Sequence, residues 1–456
     1  MHSSASAGSP LLIDQGRIGT RFYVVFVSLS LSLAFELFDF FIVGFLVSAI
    51  APAWQLSFGQ SAALLLTASV GAMVGAAAGG VLADRFGRKR ILLIGASLYP
   101  IAAAAIGLVA DGDWVSFALL RFFVGLAYGF GGVAQFALIV ELTPTRLRTV
   151  LTSASMVPIG IGFVLAPLSM TLLFEPLGWR GLAFLCLAPL LFVPAFWLLI
   201  PESPSWLSSK GRTRDAVRAA ASLFSLSPDH FTAPAPAVAP TDGEAKPLRL
   251  LDFPRQFAFC LLSFGFHSAA VAGILLWGPL VVAMLLGLSP QKAAGYFVLV
   301  SVSGLAGRFL FTYLSQRLGR LTTGQIAGYS AAVLIAIAAL FPQSELFGIK
   351  LFVICLILAA LFFDGAFANL QPHPAEIFPV TVAGRGVAVS HVASGLGKVC
   401  GPMVLAVLAG TSNVVKPAAT AAATTPGFLI MAGFFAIGAA AFTFLGTETH
   451  KKPVVV

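Results

Sequence analysis

The segment GGVLADRFGRKR, residues 79–90, joins two long apolar runs through a short and strongly charged turn. Gly87 allows a tight backbone turn there, because glycine adopts positive φ angles without strain. Asp84 and four basic residues, at positions 85, 88, 89 and 90, surround that glycine. A charged turn between two apolar runs predicts two membrane helices that are joined at an aqueous interface.

The charged turn occurs a second time, as LSQRLGR at 314–320. Two other elements are also duplicated, in the same order and at nearly the same offset. GIGFVLAP at 160–167 matches GLGKVCGP at 395–402, and ELTP at 141–144 matches EIFP at 376–379. Three matches in one order indicate a duplicated chain. Duplicated six-helix halves are typical of transporters, with the substrate site between the halves.

The composition is that of an integral membrane protein. Of the 456 residues 58% are hydrophobic and 10% are charged, whereas soluble domains carry about 25% charged residues. A spanning helix needs about 20 residues, and twelve apolar runs reach about that length. The runs are 22–50, 60–83, 91–110, 114–140, 149–174, 181–200, 255–284, 291–314, 322–342, 349–372, 381–411 and 426–446. The sequence therefore predicts an all-α membrane protein of twelve transmembrane helices in two pseudo-symmetric halves.

Basic residues predict the orientation, because cytoplasmic loops are enriched in Lys and Arg. With both termini in the cytoplasm, the opposite side carries only Arg180, Lys292, Lys350 and Lys416 outside the spans. We therefore expect a multi-pass protein of the cell inner membrane with cytoplasmic termini. The expected segments are a tail at 1–21, a first half at 22–200, an amphipathic helix and linker at 201–254, a second half at 255–446 and a tail at 447–456.

The first apolar run contains two acids, in AFELFDFFIVGF at 34–45. A charge at the bilayer centre costs at least ~2.5–3.5 kcal/mol, and intramembrane charges are usually functional. Glu36 and Asp39 stand three residues apart on one helix face, where they should not both ionise readily. One of them can therefore carry a proton. Asp39 is the preferred candidate, Glu36 the second, and Asp364 in the tenth run the third.

The segment 79–90 resembles the G-x-L-A-D-R-x-G-R-K signature of the major facilitator superfamily. The resemblance extends over roughly 20–446 and includes Arg121-x-x-x-Gly125, PESPSW at 201–206 and Glu448-Thr449. Within that superfamily, the PESPSW and ELFDFF stretches resemble the metabolite:proton symporter and sugar-porter-like branch. Aromatic acid:proton symporters are also similar. The seventh run lacks the paired glutamines of sugar porters, which argues against a hexose substrate.

The resemblance implies roles for two groups of residues. Helices 1, 4, 7 and 10 line the central cavity of that family, and most of the intramembrane charges fall on them. The candidate substrate-binding residues are Arg121, His267, Phe38, Tyr128, Trp277, His391 and Lys398. The candidate gating residues are Asp84, Arg85, Gly87, Arg88, Glu141, Arg146, Arg317, Gly319, Arg320, Glu376 and Arg385. Arg121 can instead hold the proton-carrying acid or be structural, and Arg308 is a further intramembrane cation.

The sequence has no visible machinery for catalysis or ATP hydrolysis. It lacks the patterns GxxxxGK[ST], HExxH and GxSxG. Its four cysteines form no CxxC pair and are expected to be small buried apolar residues. We therefore expect no enzyme activity, no metal site and no cofactor, with the proton gradient as energy source.

The predicted function is secondary active transport by alternating access. Proton-coupled uptake of a small organic metabolite is favoured. The metabolite is expected to be an anion, because Arg121, Arg308 and Lys398 place positive charge in the core. The alternatives are a proton-coupled antiporter that exports metabolites or drugs and a transport-dead membrane sensor, with a membrane enzyme third. The expected partners are the small-molecule substrate and the lipid bilayer, without nucleic acid, and the expected state is a monomer.

Overall fold

The structure is a computed structural model that describes residues 12–155, 157–232 and 250–449. Nearly all of these residues are helical, as the apolar runs predict. The helices are α1 Thr20–Ala53, α2 Phe58–Phe86, α3 Arg88–Ala105, α4 Trp114–Glu141, α5 Arg148–Ala154, α6 Val157–Leu185, α7 Phe192–Leu199, α8 Pro204–Ser209, α9 Thr213–Phe224, α10 Pro254–Leu286, α11 Pro290–Leu318, α12 Arg320–Leu340, α13 Leu351–Phe363, α14 Ala366–Leu370, α15 His373–Ile377, α16 Val380–Ala409 and α17 Pro417–Phe444. A short antiparallel hairpin, β1 Glu345–Leu346 with β2 Ile349–Lys350, joins α12 to α13.

Among the described residues, eleven helices are long and apolar enough to cross a membrane. The sixth predicted run, 181–200, differs from a single span. Its first residues continue α6 beyond a break at Gly178, which has a φ of 63°. Pro189 then lies in a single 3-10 turn, and α7 completes the crossing as part of the shorter apolar helix Ala188–Leu199. The glycine and the proline interrupt regular α-helix geometry there.

The tenth predicted run, 349–372, is also interrupted. Its helix α13 ends at Phe363, and a turn at Asp364 and Gly365 precedes α14. Gly365 packs so closely on α11 that a Cβ atom there would lie 2.6 Å from the Phe311 ring. The turn therefore coincides with the position where α11 approaches most closely.

Each half has an apolar cluster of its own, and a larger cluster extends across both halves. The halves meet mainly along three helix pairs. In the first half α1 packs on α6, while α2 and α3 pack on α4. In the second half α10 packs on α16 and α17, and α12 packs on α13 and α17. The halves contact each other where α2 meets α16, α6 meets α11 and α1 meets α10. The first two of these pairs are equivalent under the internal duplication.

The loop between the halves begins as predicted. The helix α9 buries Ala216, Ala220 and Phe224 and exposes Arg214 and Arg218, as the amphipathic pattern at 212–224 predicts. The end of the predicted N-terminal tail packs against this surface, because Leu12 and Ile13 belong to the same apolar cluster. Most of the predicted linker, 232–247, lies outside the described residues.

Glycines explain how α2 approaches α4 so closely. Gly71, Gly75 and Gly79 share one face of α2 and meet the α4 backbone at Phe122, Leu126 and Phe130. Small residues at this spacing allow close helix packing in membranes. The three glycines therefore form the face on which α2 packs against α4.

We expect the substitution Gly75→Val to destabilise the first half. A Cβ atom at Gly75 would lie 2.9 Å from the Leu126 carbonyl carbon and closer still to its oxygen, and backbone atoms cannot rotate away. Overpacking of this kind costs about 1–3 kcal/mol or more. Thermal unfolding in detergent measures the effect. Gly80→Val is the matched control, because nothing lies within 4 Å of a Cβ atom at Gly80. Equal melting temperatures for both variants would contradict the account.

Candidate functional site

Polar side chains at seven-residue spacing on α4 face α1. Gln135 donates hydrogen bonds to the Leu29 carbonyl and to the Ser32 hydroxyl, both at 2.8 Å. Arg121, two heptads earlier, contacts Asp39. Tyr128 lies between them and interacts electrostatically with Glu36. We call these contacts the α1–α4 polar ladder. The ladder brings together the charged side chains that the sequence predicts inside the membrane spans of the first half.

The Asp39–Arg121 ion pair is the most enclosed contact of the ladder. The Arg121 Nη1 atom lies 3.0 Å from Asp39 Oδ2, and the two side chains are only 2% and 7% exposed. The pair is incompletely satisfied, because Asp39 Oδ1 and Arg121 Nε and Nη2 have no hydrogen-bond partner. Arg121 was considered as a substrate contact, as the partner of the proton-carrying acid and as a structural residue. The geometry of this ion pair matches the second role. A buried pair of this kind is strongly sensitive to the loss of either charge.

Glu36 differs from Asp39 in its surroundings. It is half-buried and has no ion-pair partner among the described residues. It lies within electrostatic range of the phenols of Tyr99 on α3 and Tyr128 on α4. The two acids of ELFDFF therefore occupy different sites: Asp39 is enclosed and neutralised by arginine, whereas Glu36 is half-buried and has no ion-pair partner among the described residues.

The second half contains its own buried ion pair. Arg308 on α11 binds Asp364 through two hydrogen bonds, Nε to Oδ2 at 2.6 Å and Nη2 to Oδ1 at 2.9 Å. Asp364 lies at the break between α13 and α14, so the pair joins α11 to that break. This two-point contact satisfies both carboxylate oxygens, whereas Arg121 reaches only one carboxylate oxygen of Asp39, Oδ2.

Lys398 and His391 come from α16 of the second half. The Lys398 Nζ atom lies 5.1 Å from the centre of the Phe40 ring on α1, and so it contacts the first half directly. No described carboxylate pairs with Lys398. His391, about two turns earlier on α16, is exposed. Lys398 is thus a cation at the boundary between the halves. It lies beside the face of an aromatic ring, and no described carboxylate lies beside it.

Three candidate substrate contacts are enclosed by protein in this conformation. His267 is buried, and its Nε2 atom lies 2.8 Å from the Phe363 carbonyl oxygen. Trp277 is fully buried and donates to the Pro402 carbonyl. Phe38 lines a cavity of about 280 Å³ whose other walls come from α6 and the segment before α7. Of the three, Trp277 also contacts the first half, because the centre of its ring lies 5.9 Å from that of Phe58 on α2.

The gating candidates of the first half form one cluster at the end of α2. Arg88 lies 2.8 Å from Asp84 and 3.3 Å from Glu141. Gly87 separates α2 from α3 with a φ of 105°. The Glu202 carboxylate accepts hydrogen bonds from the Lys89 backbone N–H at the start of α3. An acid is favourable at that position because of the partial positive charge of a helix N-terminus.

The second half repeats this cluster. Arg320 binds Glu376 with contacts of 2.6 and 3.1 Å, and Gly319 separates α11 from α12 with a φ of 86°. Glu448 accepts from the Arg320 and Leu321 backbone N–H groups, each at 3.0 Å. All these contacts lie within one half. Of the remaining candidates, Arg85 and Arg317 stack on Phe86 and Tyr313, and Arg146 and Arg385 are exposed.

Backbone hydrogen bonds join the halves on the side opposite the termini. The Phe58 N–H donates to Asn413, the Gly59 N–H to Thr411 and the Val415 N–H to Leu56, each at 2.9 Å. Ser57 and Val414 form an antiparallel bridge in the middle. We call this contact, between residues 56–59 and 411–415, the inter-half bridge. The structure is therefore closed on that side.

Several residues of these clusters were not among the predicted site residues. Arg308, noted only as an intramembrane cation, pairs with Asp364. Glu202 and Glu448 lie in recognised motifs, and each follows the last span of its half. Gln135 could have been found from its seven-residue spacing to Tyr128. Of the cysteines, Cys186 is buried beside Asp39, but Cys400 is exposed, so the expectation that all four are buried is wrong.

Known proteins share the whole architecture. The family model described as the Major Facilitator Superfamily matches residues 29–349. A cis,cis-muconate transport protein of Acinetobacter baylyi is 22% identical over 88% of this chain and 91% of its own length. The niacin transporter NiaP of the same species is 25% identical, over 86% of this chain and 88% of its own length. The xylose transporter XylE from E. coli, in a partially occluded inward-open structure, superposes with a TM-score of 0.71 at 20% identity, over 95% of this chain and 100% of that one.

The family match covers well over half of the chain and includes both of the duplicated charged turns. The chain is therefore a multi-pass membrane transporter of the Major Facilitator Superfamily and not an enzyme.

Proposed function

We propose that the transporter couples protons to the uptake of a small organic anion, with Asp39 as the acid that carries the proton. The observation that carries this proposal is the enclosed, incompletely satisfied Asp39–Arg121 pair. Arginine stays protonated in proteins, so only Asp39 of this pair can change its charge. Protonation of Asp39 leaves the Arg121 cation without its counter-ion.

Charge balance then links the proton to an anion. Without a bound proton or substrate, the Asp39–Arg121 pair is neutral. It stays neutral when one proton and one negative charge from the anion are added together. A proton alone leaves Arg121 without its counter-ion in a poorly solvated interior, and an anion that arrives with the proton restores the balance. Removing one partner of a buried pair costs about 3–5 kcal/mol, which equals about two to four powers of ten in population. The protonated state without an anion is therefore rare, which links uptake of the proton to that of the anion. By reciprocity, a proton that favours the anion is favoured by it.

Lys398 is the proposed contact for the anion itself. It lies at the boundary between the halves, without a carboxylate partner and against the Phe40 ring. An anion that binds there touches α1 through Phe40, one residue from Asp39. Tyr128 and His391 remain candidates for the polar groups of the substrate. The names of the muconate and niacin relatives support an organic acid as the substrate class.

The orientation is part of the proposal. Lys and Arg are concentrated on the side that holds both termini, so we place that side in the cytoplasm. The inter-half bridge then closes the outer face, and the structure represents an inward-facing state of a monomer in the cell inner membrane. An antiporter that exports metabolites is the alternative, because the same ion pair can exchange a proton for a substrate.

We expect organic anions to stabilise the purified protein against thermal unfolding. A ligand at 100 times its Kd adds about 2.7 kcal/mol to the unfolding free energy. The probes are cis,cis-muconate and nicotinate, and nicotinamide is the uncharged control with the same ring as nicotinate. The substitution Lys398→Gln should remove the stabilisation. Equal stabilisation by nicotinamide, or an unchanged response of the Lys398→Gln variant, would contradict an anion-binding site at Lys398.

A further inference from the structure

Tyr99 is a buried phenol with no partner. It lies on α3, is 4% exposed, and its hydroxyl has no hydrogen-bond partner within the described protein. A buried polar group without a partner costs about 1–3 kcal/mol. Packing alone does not explain this hydroxyl, because phenylalanine would fill the same space without that cost.

The surroundings of Tyr99 are polar and charged. Its phenol lies within electrostatic range of Glu36 and Asp39 on α1, and also of Tyr128 on α4 and Cys186 after α6. Arg121, also on α4, binds the same Asp39 carboxylate. These are the titratable and charged groups that face Tyr99 from the helices around it in the described part of the chain.

Four buried polar atoms of Tyr99 and the Asp39–Arg121 pair have no partner in the described part of the protein. They are Tyr99 Oη, Asp39 Oδ1, Arg121 Nε and Arg121 Nη2. Buried polar atoms are almost always bonded to protein or to ordered water. A polar space with several such atoms is the setting in which a buried water is bound. Water bound between the hydroxyl and the ion pair would satisfy these atoms.

The two acids differ in access to the boundary between the halves. On α1, Glu36 lies four residues before Phe40, and so it shares the helix face that contacts Lys398. Glu36 is half-buried, whereas Asp39 is enclosed. A proton that arrives from the boundary therefore meets Glu36 first, and it needs a path to reach Asp39.

We propose that Tyr99 relays protons between Glu36 and Asp39 through bound water; the inference rests on the proposed proton symport. The Glu36 carboxyl gives its proton to a water, which passes a proton to Tyr99 Oη. The hydroxyl gives its original hydrogen to Asp39 Oδ1, directly or through a second water. Tyr99 ends neutral, one proton has moved from Glu36 to Asp39, and Arg121 remains as the cation that the anion balances.

The test is uptake of radiolabelled nicotinate or cis,cis-muconate by proteoliposomes that contain the full chain. The substitution Tyr99→Phe removes only an unbonded hydroxyl, so the melting temperature should not fall. Uptake driven by an imposed pH gradient should slow about tenfold or more, while exchange of labelled for unlabelled anion without a gradient stays at the wild-type rate. The defect should be largest at high external pH and should shrink as the pH falls, because direct protonation of Asp39 then replaces the relay.

The control is Tyr23→Phe, since Tyr23 on α1 is 51% exposed and far along the helix from the acids. Glu36→Gln should slow gradient-driven uptake similarly, and the double variant Glu36→Gln/Tyr99→Phe should be no slower than either single variant, because both act on one path. Wild-type rates for Tyr99→Phe at every pH, or additive losses in the double variant, would overturn the relay. Failure of the wild-type protein itself to respond to a pH gradient would instead overturn the proposed symport.

Discussion

The substitution Asp39→Asn should abolish proton-driven accumulation of the anion and leave its exchange across the membrane intact. Asparagine has nearly the shape of a protonated aspartate but cannot release a proton. Arg121 is then permanently without its counter-ion, so the anion should bind at least as tightly as in wild type. The dependence of binding on pH should flatten. In proteoliposomes with an imposed pH gradient, the accumulation ratio should fall to about one.

Asp364→Asn provides the matched control for that experiment. Asp364 is also a buried acid bound to an arginine, at 2.6 Å from Arg308. Both variants lose one partner of a buried pair, so both should be destabilised, by about 3–5 kcal/mol. Only Asp39→Asn should uncouple transport from the proton gradient. Uncoupling by Asp364→Asn, with normal accumulation by Asp39→Asn, would move the proton site to the second half.

A disulfide across the inter-half bridge should stop transport completely. In the double variant Ser57→Cys/Val414→Cys the two cysteines occupy the bridge pair. Hydrogen bonds flank this pair on both sides, from Phe58 to Asn413 and from Val415 to Leu56, so it is a non-hydrogen-bonded pair, with Cα atoms about 4.5 Å apart. That separation lies within the range of disulfides. Oxidation should hold the outer face closed, and anion uptake should fall to the level of empty liposomes.

Reduction with dithiothreitol should restore the transport of that double variant. Ser57 also caps α2, since its side chain accepts from the Gln60 N–H, so the variant should lose about 1 kcal/mol of stability before oxidation. Each single-cysteine variant controls for this loss and for the native cysteines. Full cross-linking with continued transport would show that residues 56–59 and 411–415 do not separate during the cycle.

Much of the fold was predictable from local patterns. The charged turn at 79–90 and its repeat at 314–320 define two halves, and apolar runs of spanning length define the helices. The interruptions at Gly178 and at Asp364 were not predictable. Each interruption depends on the local backbone conformation and on the packing of a neighbouring helix or a nearby proline. The length of an apolar run carries no information about either.

The site was predictable in its residue types but not in its pairings. The ELFDFF stretch identifies two acids, and their spacing places them on one helix. Nothing in the spacing shows that Arg121 neutralises Asp39 while Lys398 lies against Phe40, because both cations come from distant segments. Tyr99 was missed altogether. It is a single tyrosine in an apolar run, and only the fold brings its phenol within electrostatic range of the two acids.

The central claim is that a proton enters with the anion, and internal pH tests it most directly. A pH-sensitive dye trapped in proteoliposomes reports the proton while radiolabelled cis,cis-muconate reports the anion, with empty liposomes as the control for passive entry of the acid. The account predicts internal acidification that begins with anion uptake in the wild-type protein and is absent in the Asp39→Asn variant. Anion uptake without a change in internal pH, or with internal alkalinisation, would contradict proton symport.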